Sequence, residues 1–459
     1  MPPAIELAAG RLSTFSLTDL HGRLDSALDL LGGVRSEDRH RTLRATVEWS
    51  YQLLSAEEQR LFRHLAVFPD GVDLATAERV GADLGLSGDP GSLLARLVDA
   101  SMVEADLDGP ARYRMLETLR AFGVDRLAAA GEQDAAELRL VRWAVEVTGW
   151  IGATLLTEDE AGASLRRELP NLRAAWRTAR TRGLLDEAVA IVTTLFEVVV
   201  NRDLVEIRGW AEELAADPAL DGLARDGSSS CLHAAAVVAL ARGAYAEVAQ
   251  LCLRADEDTN RRHYLLGIAA LAQAYTGDPD AARALNERGL TDGLPPGTRS
   301  WSTYFAGEIE NVAGGRELAE RHYVRAIAAG RAAGATFLVG VATVGLLSVH
   351  AASGRVDDAL SGYRDVIDYF ARTGNWTHLW VALRNLAVLL DGLGGDGGGD
   401  LGAHEAAALI RAAADAAPDA PPDPAGPPAG TSVIPRAQVL DVARAAIDRQ
   451  LAGRPCRGR

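Results

Sequence analysis

Lysine is absent from this sequence, and all 47 basic residues are arginine. Two kinds of chemistry are thereby excluded. A G-x-x-x-x-G-K-[ST] phosphate-binding loop needs its lysine to reach the phosphates, and Schiff-base catalysis needs a lysine amine. G-x-S-x-G and H-E-x-x-H motifs are also missing. We assign no catalytic residue and predict a protein that is not an enzyme.

Cysteines and long apolar runs are scarce as well. Cys231, Cys252 and Cys456 form no C-x-x-C pair, so neither a disulfide framework nor a zinc site is indicated. We predict no metal, no cofactor and a reduced, cytoplasmic chain. The most apolar run, residues 337–352, is about 16 residues long, whereas a membrane-spanning helix needs about 20. A buried helix is the prediction there.

Acidic residues outnumber basic ones by 63 to 47, which gives a net charge of −16. A chain this acidic repels phosphate backbones unless a basic patch is set aside locally. Aromatic residues make up only 5% of the sequence, while hydrophobic residues make up 48% and recur at helical spacing almost throughout. The pattern predicts a mostly α-helical fold.

Residues 36–130 have the element order of a winged helix. Ser55 and Glu58 form a capping box that opens a helix with Leu61, Phe62, Leu65 and Phe68 on one face. Two further short helices follow. The pattern then changes to two short extended runs around an Asp108–Gly109–Pro110 turn, which predicts a β-hairpin. Another helix is predicted after the hairpin.

Residues 229–415 show an internal repeat. Each unit is a helix of small and apolar residues, a glycine turn and a second helix. The turn glycines Gly243, Gly277, Gly315 and Gly354 are spaced by 34, 38 and 39 residues. Such periods predict tetratricopeptide-like helical hairpins, which stack into an α-solenoid with a concave binding side because one hairpin cannot cover its own apolar faces.

The remaining segments complete the predicted domain organisation. Residues 131–228 are interpreted as further, degenerate helical hairpins. Residues 416–435 are rich in proline and alanine and are predicted to be a disordered linker. Residues 436–459 are predicted to be a short helix and a basic tail.

Several sequence words occur in an order that resembles the C-terminal half of bacterial regulators of the STAND class (signal-transduction ATPases with numerous domains), of the AfsR-like and LuxR types. The most specific part spans residues 39–127. The resemblance implies the end of an NB-ARC nucleotide-binding core, a winged helix and a tetratricopeptide sensor. The words are "PPAIELAAGRL", "RHRTLRATVEWSYQLLSAEEQRLFRHLAVFPDGVDLATAERV", "LLARLVDASMVEAD", "RYRMLETLRAFGVDRLAAAGE" and "RELPNLRAAWRTARTRG".

The opening "MPPAIELAAG" shows where the sequence departs from that family, because the earlier part of the nucleotide-binding core is missing. It resembles a word near the end of the nucleotide-binding core, so residues 1–35 are interpreted as a remnant of the NB-ARC helical region. Pro2 would then correspond to the proline that lies against the nucleotide base. Because the phosphate loop and the Walker-B aspartates are missing, we expect a gene fragment or a natural remnant, without a nucleotide switch of its own.

Direct DNA binding by the winged helix is not expected. The helix in the recognition position offers Arg96 and opposes it with Asp99, whereas a helix that reads the major groove carries several basic or amide side chains. Arg112, Arg114 and Arg120 near the wing form a small cationic patch and, with Arg96, are the candidate DNA contacts. The resemblance implies instead that this domain packs against a nucleotide-binding core and transmits its state.

The leading hypothesis is a regulatory, protein-interaction module that senses a protein or peptide partner, or an effector, on the concave repeat surface, with no membrane association. The first alternative is a DNA-binding transcription factor that acts through the winged helix. The second is one part of a split ATP/ADP-dependent switch whose phosphate-binding core is on a separate chain. Any single candidate contact is expected to lock neighbouring hairpins together more often than to bind a partner. The candidates are Tyr245, Tyr264, Tyr304, Tyr323, Tyr363 and Trp376.

Overall fold

A computed structural model describes residues 47–154, 159–195, 205–255, 262–290, 294, 296–394, 401–421 and 432–452. The predicted NB-ARC remnant, including Pro2, lies outside the described residues, as do residues 422–431 of the predicted linker and the basic tail. Contacts divide the chain into two units, residues 1–147 with 162–188, and residues 148–161 with 189–459. Each unit is described by itself.

The fold is mostly α-helical, as the sequence predicts, with a winged helix followed by stacked helical hairpins. Residues 47–52 are helical. The first labelled elements are α1 (Ala56–Leu65), α2 (Leu74–Asp83), α3 (Pro90–Asp99), β1 (Glu104–Asp106), β2 (Arg112–Arg114), α4 (Glu117–Ala129), α5 (Gln133–Thr154), α6 (Asp159–Thr181), α7 (Leu185–Thr194) and α8 (Val205–Ala215). After a 3-10 turn at Pro218–Gly222 come α9 (Arg225–Ala241), α10 (Tyr245–Arg254), α11 (Arg262–Tyr275), α12 (Pro279–Gly289), α13 (Pro296–Val312), α14 (Arg316–Ala332), α15 (Thr336–Ala352), α16 (Val356–Thr373), α17 (Trp376–Gly394), α18 (Leu401–Asp415) and α19 (Arg436–Ala452).

Local capping sets the helix starts of the winged helix. The predicted capping box is confirmed, because the Glu58 amide donates to the Ser55 hydroxyl and the Ser55 amide donates to the Glu58 carboxylate. Asp73 and Asp89 accept from amides in the first turns of α2 and α3. Such caps satisfy amides that have no partner within the helix. The predicted apolar face of α1 is buried, with Leu61 and Phe62 fully covered.

The predicted β-hairpin is confirmed as the wing. Strands β1 and β2 are antiparallel, in a register that pairs Ala105 with Tyr113. Tyr113 and Val72 exchange backbone hydrogen bonds of 2.8 and 2.9 Å, which attach the wing to the segment before α2. Gly109 has a φ of 117° and supplies the positive φ that this turn requires.

A neutral histidine is buried in the winged-helix unit. Only 2% of His64 is exposed, and Arg139 donates to its Nδ1 over 2.9 Å. Because Nδ1 accepts, the ring proton must reside on Nε2, which lies 3.3 Å from the Glu132 carboxylate. Burial and the positive charge of Arg139 lower the pKa of His64 to about 4, against the opposing effect of Glu132.

Acid should therefore destabilise this unit through His64. The native pKa lies below the ordinary histidine value of 6.5, so the unfolded chain binds the proton first and stability falls as the pH drops from about 6.5 toward 4. We expect a loss of about 2 kcal/mol between pH 7 and pH 5. Urea unfolding at both pH values measures it. The His64→Gln variant, which cannot titrate in this range, should show a correspondingly smaller loss, and an equal loss would contradict the assignment.

Among its described residues, the second unit contains five consecutive hairpins, α9/α10, α11/α12, α13/α14, α15/α16 and α17/α18. Each first helix contacts the first helix of the next hairpin, and each second helix packs against the following first helix. The turns have positive φ at Gly243, Gly277, Gly314 and Gly354. The third of these is Gly314, one residue before the glycine used in the predicted spacing.

The C-terminal helix of the described chain packs against the last two hairpins. Helix α19 buries Val439, Ala443, Ala446 and Ile447, and it contacts α16 and α18. The start of the predicted disordered linker is instead packed, because Asp419 is buried and accepts a 3.0 Å hydrogen bond from Trp380 Nε1. In the described ranges, no helix combines the length and apolar character needed to cross a membrane.

Candidate functional site

A buried polar network joins the wing to α6 in the first unit. The Arg112 guanidinium donates to both carboxylate oxygens of Glu168, over 2.5 and 2.9 Å, and its Nε donates to the Asp70 carbonyl over 3.0 Å. Only 3% of the Arg112 side chain and 7% of the Glu168 side chain are exposed. We call this network, formed by Asp70, Gly71, Arg112, Glu168 and Asn171, the wing latch.

Asn171 completes the wing latch with three hydrogen bonds. Its Nδ2 donates to the Gly71 carbonyl and to Glu168, each over 2.9 Å, and its Oδ1 accepts from the Asp70 amide over 3.1 Å. Glu168 and Asn171 belong to the "RELPNLRAAW" word, with Pro170 inside α6. A fully hydrogen-bonded buried pair of this kind fixes one geometry of the wing against α6.

Gly71 allows the wing to lie close to the segment before α2. Its φ is 70°, and a Cβ at this position would lie 2.1 Å from the Tyr113 carbonyl oxygen. The residue must therefore be glycine both for its backbone conformation and for the approach of β2.

The four candidate DNA contacts are all engaged by carboxylates. Arg96 is exposed but donates to Glu58 over 3.1 Å. Arg114 bonds Asp70 and Asp106, each over 3.1 Å, and Arg120 bonds both oxygens of Glu117. The prediction for Arg112 is corrected, because this side chain is buried in the wing latch and offers no surface to a phosphate. Its partner Glu168 lies 56 residues away, beyond what local sequence could indicate.

An aromatic row follows the first helices of the five hairpins. It consists of His233, Tyr264, Trp301, Phe337 and His378. Successive ring centroids are 5.2, 6.4, 6.0 and 4.9 Å apart. Tyr264, Trp301 and His378 are half-buried, whereas His233 and Phe337 are buried. The row is continuous because adjacent first helices contact one another.

The structure separates the candidate partner contacts. Tyr323 and Tyr363 are fully buried, so the prediction that they contact a partner is corrected: both side chains belong to the hydrophobic core. Tyr245, Tyr264, Tyr304 and Trp376 are half-buried. Trp376 is partly covered by the Arg436 guanidinium, which lies 4.2 Å from its ring centroid in a cation–π contact.

A tyrosine cluster surrounds one carboxylate between α11 and α14. Tyr275 donates to Glu308 Oε2 over 3.1 Å, and Tyr323 donates to Oε1 over 2.6 Å. Tyr304 lies one turn before Glu308 on α13, and its ring centroid is 6.4 Å from that of Tyr323. Tyr245 lies 5.6 Å from Tyr275. We define these four tyrosines and Glu308 as the tyrosine cluster.

Glu308 and Tyr275 are not among the residues that the sequence predicts as contacts. A signal was present in Tyr304 and Glu308, because residues four apart share one face of a helix. Tyr275 ends α11 just before the Gly277 turn, so only the stacking of hairpins brings it to Glu308.

Tyr323 reaches Glu308 by passing between two glycines of neighbouring first helices. A Cβ on Gly307 would lie 2.9 Å from the Tyr323 ring, and one on Gly345 would lie 2.4 Å from it. Any larger residue at these positions would displace the ring. The two glycines therefore let a residue of the second helix α14 approach the first-helix side.

Comparison with known proteins identifies one domain of this chain and several similar proteins. Residues 54–128 match a family model described as "Winged helix-turn-helix domain", so the chain carries such a domain. The "Putative HTH-type transcriptional regulator Rv0890c" of Mycobacterium tuberculosis is 36% identical over 236 residues, which cover 49% of this chain and 26% of that protein. An "Uncharacterized protein Rv0894" of the same organism is 40% identical over 147 residues, 30% of this chain and 37% of that protein.

The chain thus spans about a quarter of the regulator that it matches. Among solved structures, a STAND protein with a tetratricopeptide repeat sensor from Pyrococcus horikoshii aligns with 97% of this chain and 69% of its own. The identity is 13% and the TM-score is 0.43.

Proposed function

We propose that this chain is the regulatory, protein-interaction part of a STAND-type transcriptional regulator of the AfsR-like or LuxR type. In this proposal it is a non-enzymatic cytoplasmic module that binds a protein or peptide partner through the first helices of its hairpins. It carries no phosphate-binding loop, and a separate nucleotide-binding chain is a partner only in the split-switch alternative. The winged helix-turn-helix match and the regulator-like relatives support a regulatory role.

The aromatic row is the observation that carries the proposal. Half-buried aromatic side chains combine large apolar area with little conformational entropy to lose, and they are enriched at binding surfaces. Here Tyr264, Trp301 and His378 recur along successive first helices. In this proposal the first helices line the concave side of the stack, and folds of stacked hairpins use that side for binding.

The wing latch supports a structural role for the winged helix. It commits Arg112 to Glu168 and ties the wing to α6. The remaining candidate arginines are paired with Glu58, Asp70, Asp106 or Glu117. Neutralised guanidinium groups contribute less to phosphate binding, which depends on releasing condensed counterions.

Replacement of Trp301 by alanine should weaken partner binding at least tenfold. The full chain is used as bait in lysate of its source organism, and proteins recovered are quantified for wild type and variants. Proteins enriched by wild type should fall at least tenfold with Trp301→Ala. The matched control is Leu253→Ala on the second helix α10, where 85% of the side chain is exposed. Equal loss with both variants, or no partner with wild type, would contradict the proposal.

Two measurements on the full chain address the rival functions. A gel shift at low salt with duplex DNA should show no complex, and calorimetry with ADP or ATP should show no binding. A salt-dependent shift would favour a DNA-binding factor, and measurable nucleotide binding would favour a nucleotide switch.

A further inference from the structure

Glu308 is a half-buried carboxylate without a cationic partner in the described part of the chain. Its hydrogen bonds come from two tyrosine hydroxyls. Two nearby carboxylates are paired with arginine. Arg283 donates hydrogen bonds to Glu310, and Arg355 donates hydrogen bonds to Glu320. Glu308 therefore brings a negative charge into the repeat surface that the described neighbours do not neutralise.

The surroundings of Glu308 are aromatic and partly exposed to solvent. Tyr275 is 40% exposed, and Tyr245 and Tyr304 are half-buried. Only Tyr323 is fully enclosed, held between Gly307 and Gly345. Three of the four tyrosine rings in the cluster around Glu308 therefore keep some solvent exposure.

The chemistry of this cluster suits a cation. An ionised carboxylate has about four acceptor sites, and the two tyrosine hydroxyls use one on each oxygen. One acceptor site per oxygen remains, which matches the parallel donors of a guanidinium. Aromatic faces attract cations as well, most strongly where water is partly excluded. Burial raises the pKa of Glu308, as expected for a carboxylate that lacks a compensating positive charge.

We propose that the tyrosine cluster binds a guanidinium or alkylammonium group of the partner, with Glu308 as its counter-charge. This inference rests on the proposed function, because it names the chemical group of the partner that the repeat surface recognises. A guanidinium satisfies both remaining acceptor sites of Glu308 and stacks on tyrosine, so arginine is the preferred side chain.

Calorimetry on the full chain at millimolar ligand concentrations tests the proposal with N-acetyl-arginine amide. The matched probe is N-acetyl-citrulline amide, which has a similar shape and no charge. The arginine probe should bind and the citrulline probe should not. Glu308→Gln keeps the shape and an acceptor oxygen but removes the charge, and it should weaken binding at least tenfold. Glu287→Gln, an equal change of charge at an exposed site on α12, should leave binding unchanged.

A second variant tests the ring contribution and protects the test against misfolding. Tyr304→Leu retains the Glu308 charge and should weaken binding severalfold. Each variant must unfold with the wild-type midpoint to within a few degrees, and only such variants are compared. Absence of arginine binding to the wild type, or wild-type affinity in Glu308→Gln, would overturn the proposal.

The source of the cation is resolved by the length of the probe. If acetyl-Ala-Arg-Ala-amide binds at least tenfold more tightly than N-acetyl-arginine amide, the cluster reads an arginine within a peptide. Equal affinities mean that it reads a small free cation. Failure of both probes, together with partner recovery that depends on Trp301, overturns the cation site and leaves the proposed function standing. If no partner is recovered but arginine still binds, the proposed function is overturned and the cation site stands.

Discussion

Replacing Arg112 by methionine is expected to lower the free energy of unfolding of the winged-helix unit by about 3 kcal/mol. The substitution removes the bidentate partner of Glu168, whose carboxylate stays 7% exposed and nearly out of reach of water. Asn171 still donates one hydrogen bond to it, and Arg167 Nε lies 3.9 Å away. These contacts offset part of the penalty, so the lower end of the usual range for a broken buried pair applies.

Arg114→Met is the matched control for this prediction. Arg114 also lies on β2 and also pairs with carboxylates, but 40% of its side chain is exposed. An exposed pair contributes less than about 1 kcal/mol. Urea unfolding of both variants measures the contrast, and equal losses would refute the buried role of Arg112.

The double variant Arg112→Met with Glu168→Leu separates the charge from the packing. If the cost of Arg112→Met is the stranded charge of Glu168, removal of that charge should recover most of the loss, because apolar replacements of buried pairs are often neutral or stabilising. A double variant as unstable as the single one would mean that the hydrogen bonds of Arg112 to Asp70, rather than the ion pair, hold the wing.

Replacing Gly71 by alanine is expected to cost about 3 kcal/mol, from a strained positive φ and an overlap with the backbone of β2. The new Cβ would lie 2.1 Å from the Tyr113 carbonyl oxygen, and backbone cannot rotate away as a flexible side chain can. The bridge between Val72 and Tyr113 would have to open. Hydrogen exchange should accordingly become faster at the Val72 and Tyr113 amides than elsewhere in the unit.

Gly85→Ala isolates the conformational part of this effect. Gly85 has a similar φ of 63°, and no atom lies within 4 Å of a Cβ built there. It should cost only about 1 kcal/mol. A difference between the two variants measures the close approach of the wing, and equal costs would show that the wing adjusts without penalty.

The predicted elements that proved correct depend on local chemistry. Ser55 and Glu58 cap α1 because their side chains reach amides only three residues away. The wing follows from turn residues between two extended runs, and Gly109 supplies its positive φ. The hairpin turns follow from glycines that tolerate a left-handed backbone.

The candidate contacts proved only partly correct, for a different physical reason. Helical periodicity indicates which residues share a face, but it does not tell which face a neighbouring hairpin covers. Tyr323 and Tyr363 occupy the same repeat position and are both buried for this reason. Tyr304 and Tyr245 are only half-buried.

The sequence by itself determined the helical fold, the capped helices, the wing and the repeat of hairpins, since each depends on residues within a few positions of one another. It also excluded lysine-dependent phosphate chemistry, because no lysine is present. Only the tertiary structure decided which charges are neutralised and which are not. Arg112 meets Glu168 across 56 residues, and Glu308 meets Tyr275 across 33. Such pairings arise from the packing of elements that are distant in the sequence, which local spacing does not encode.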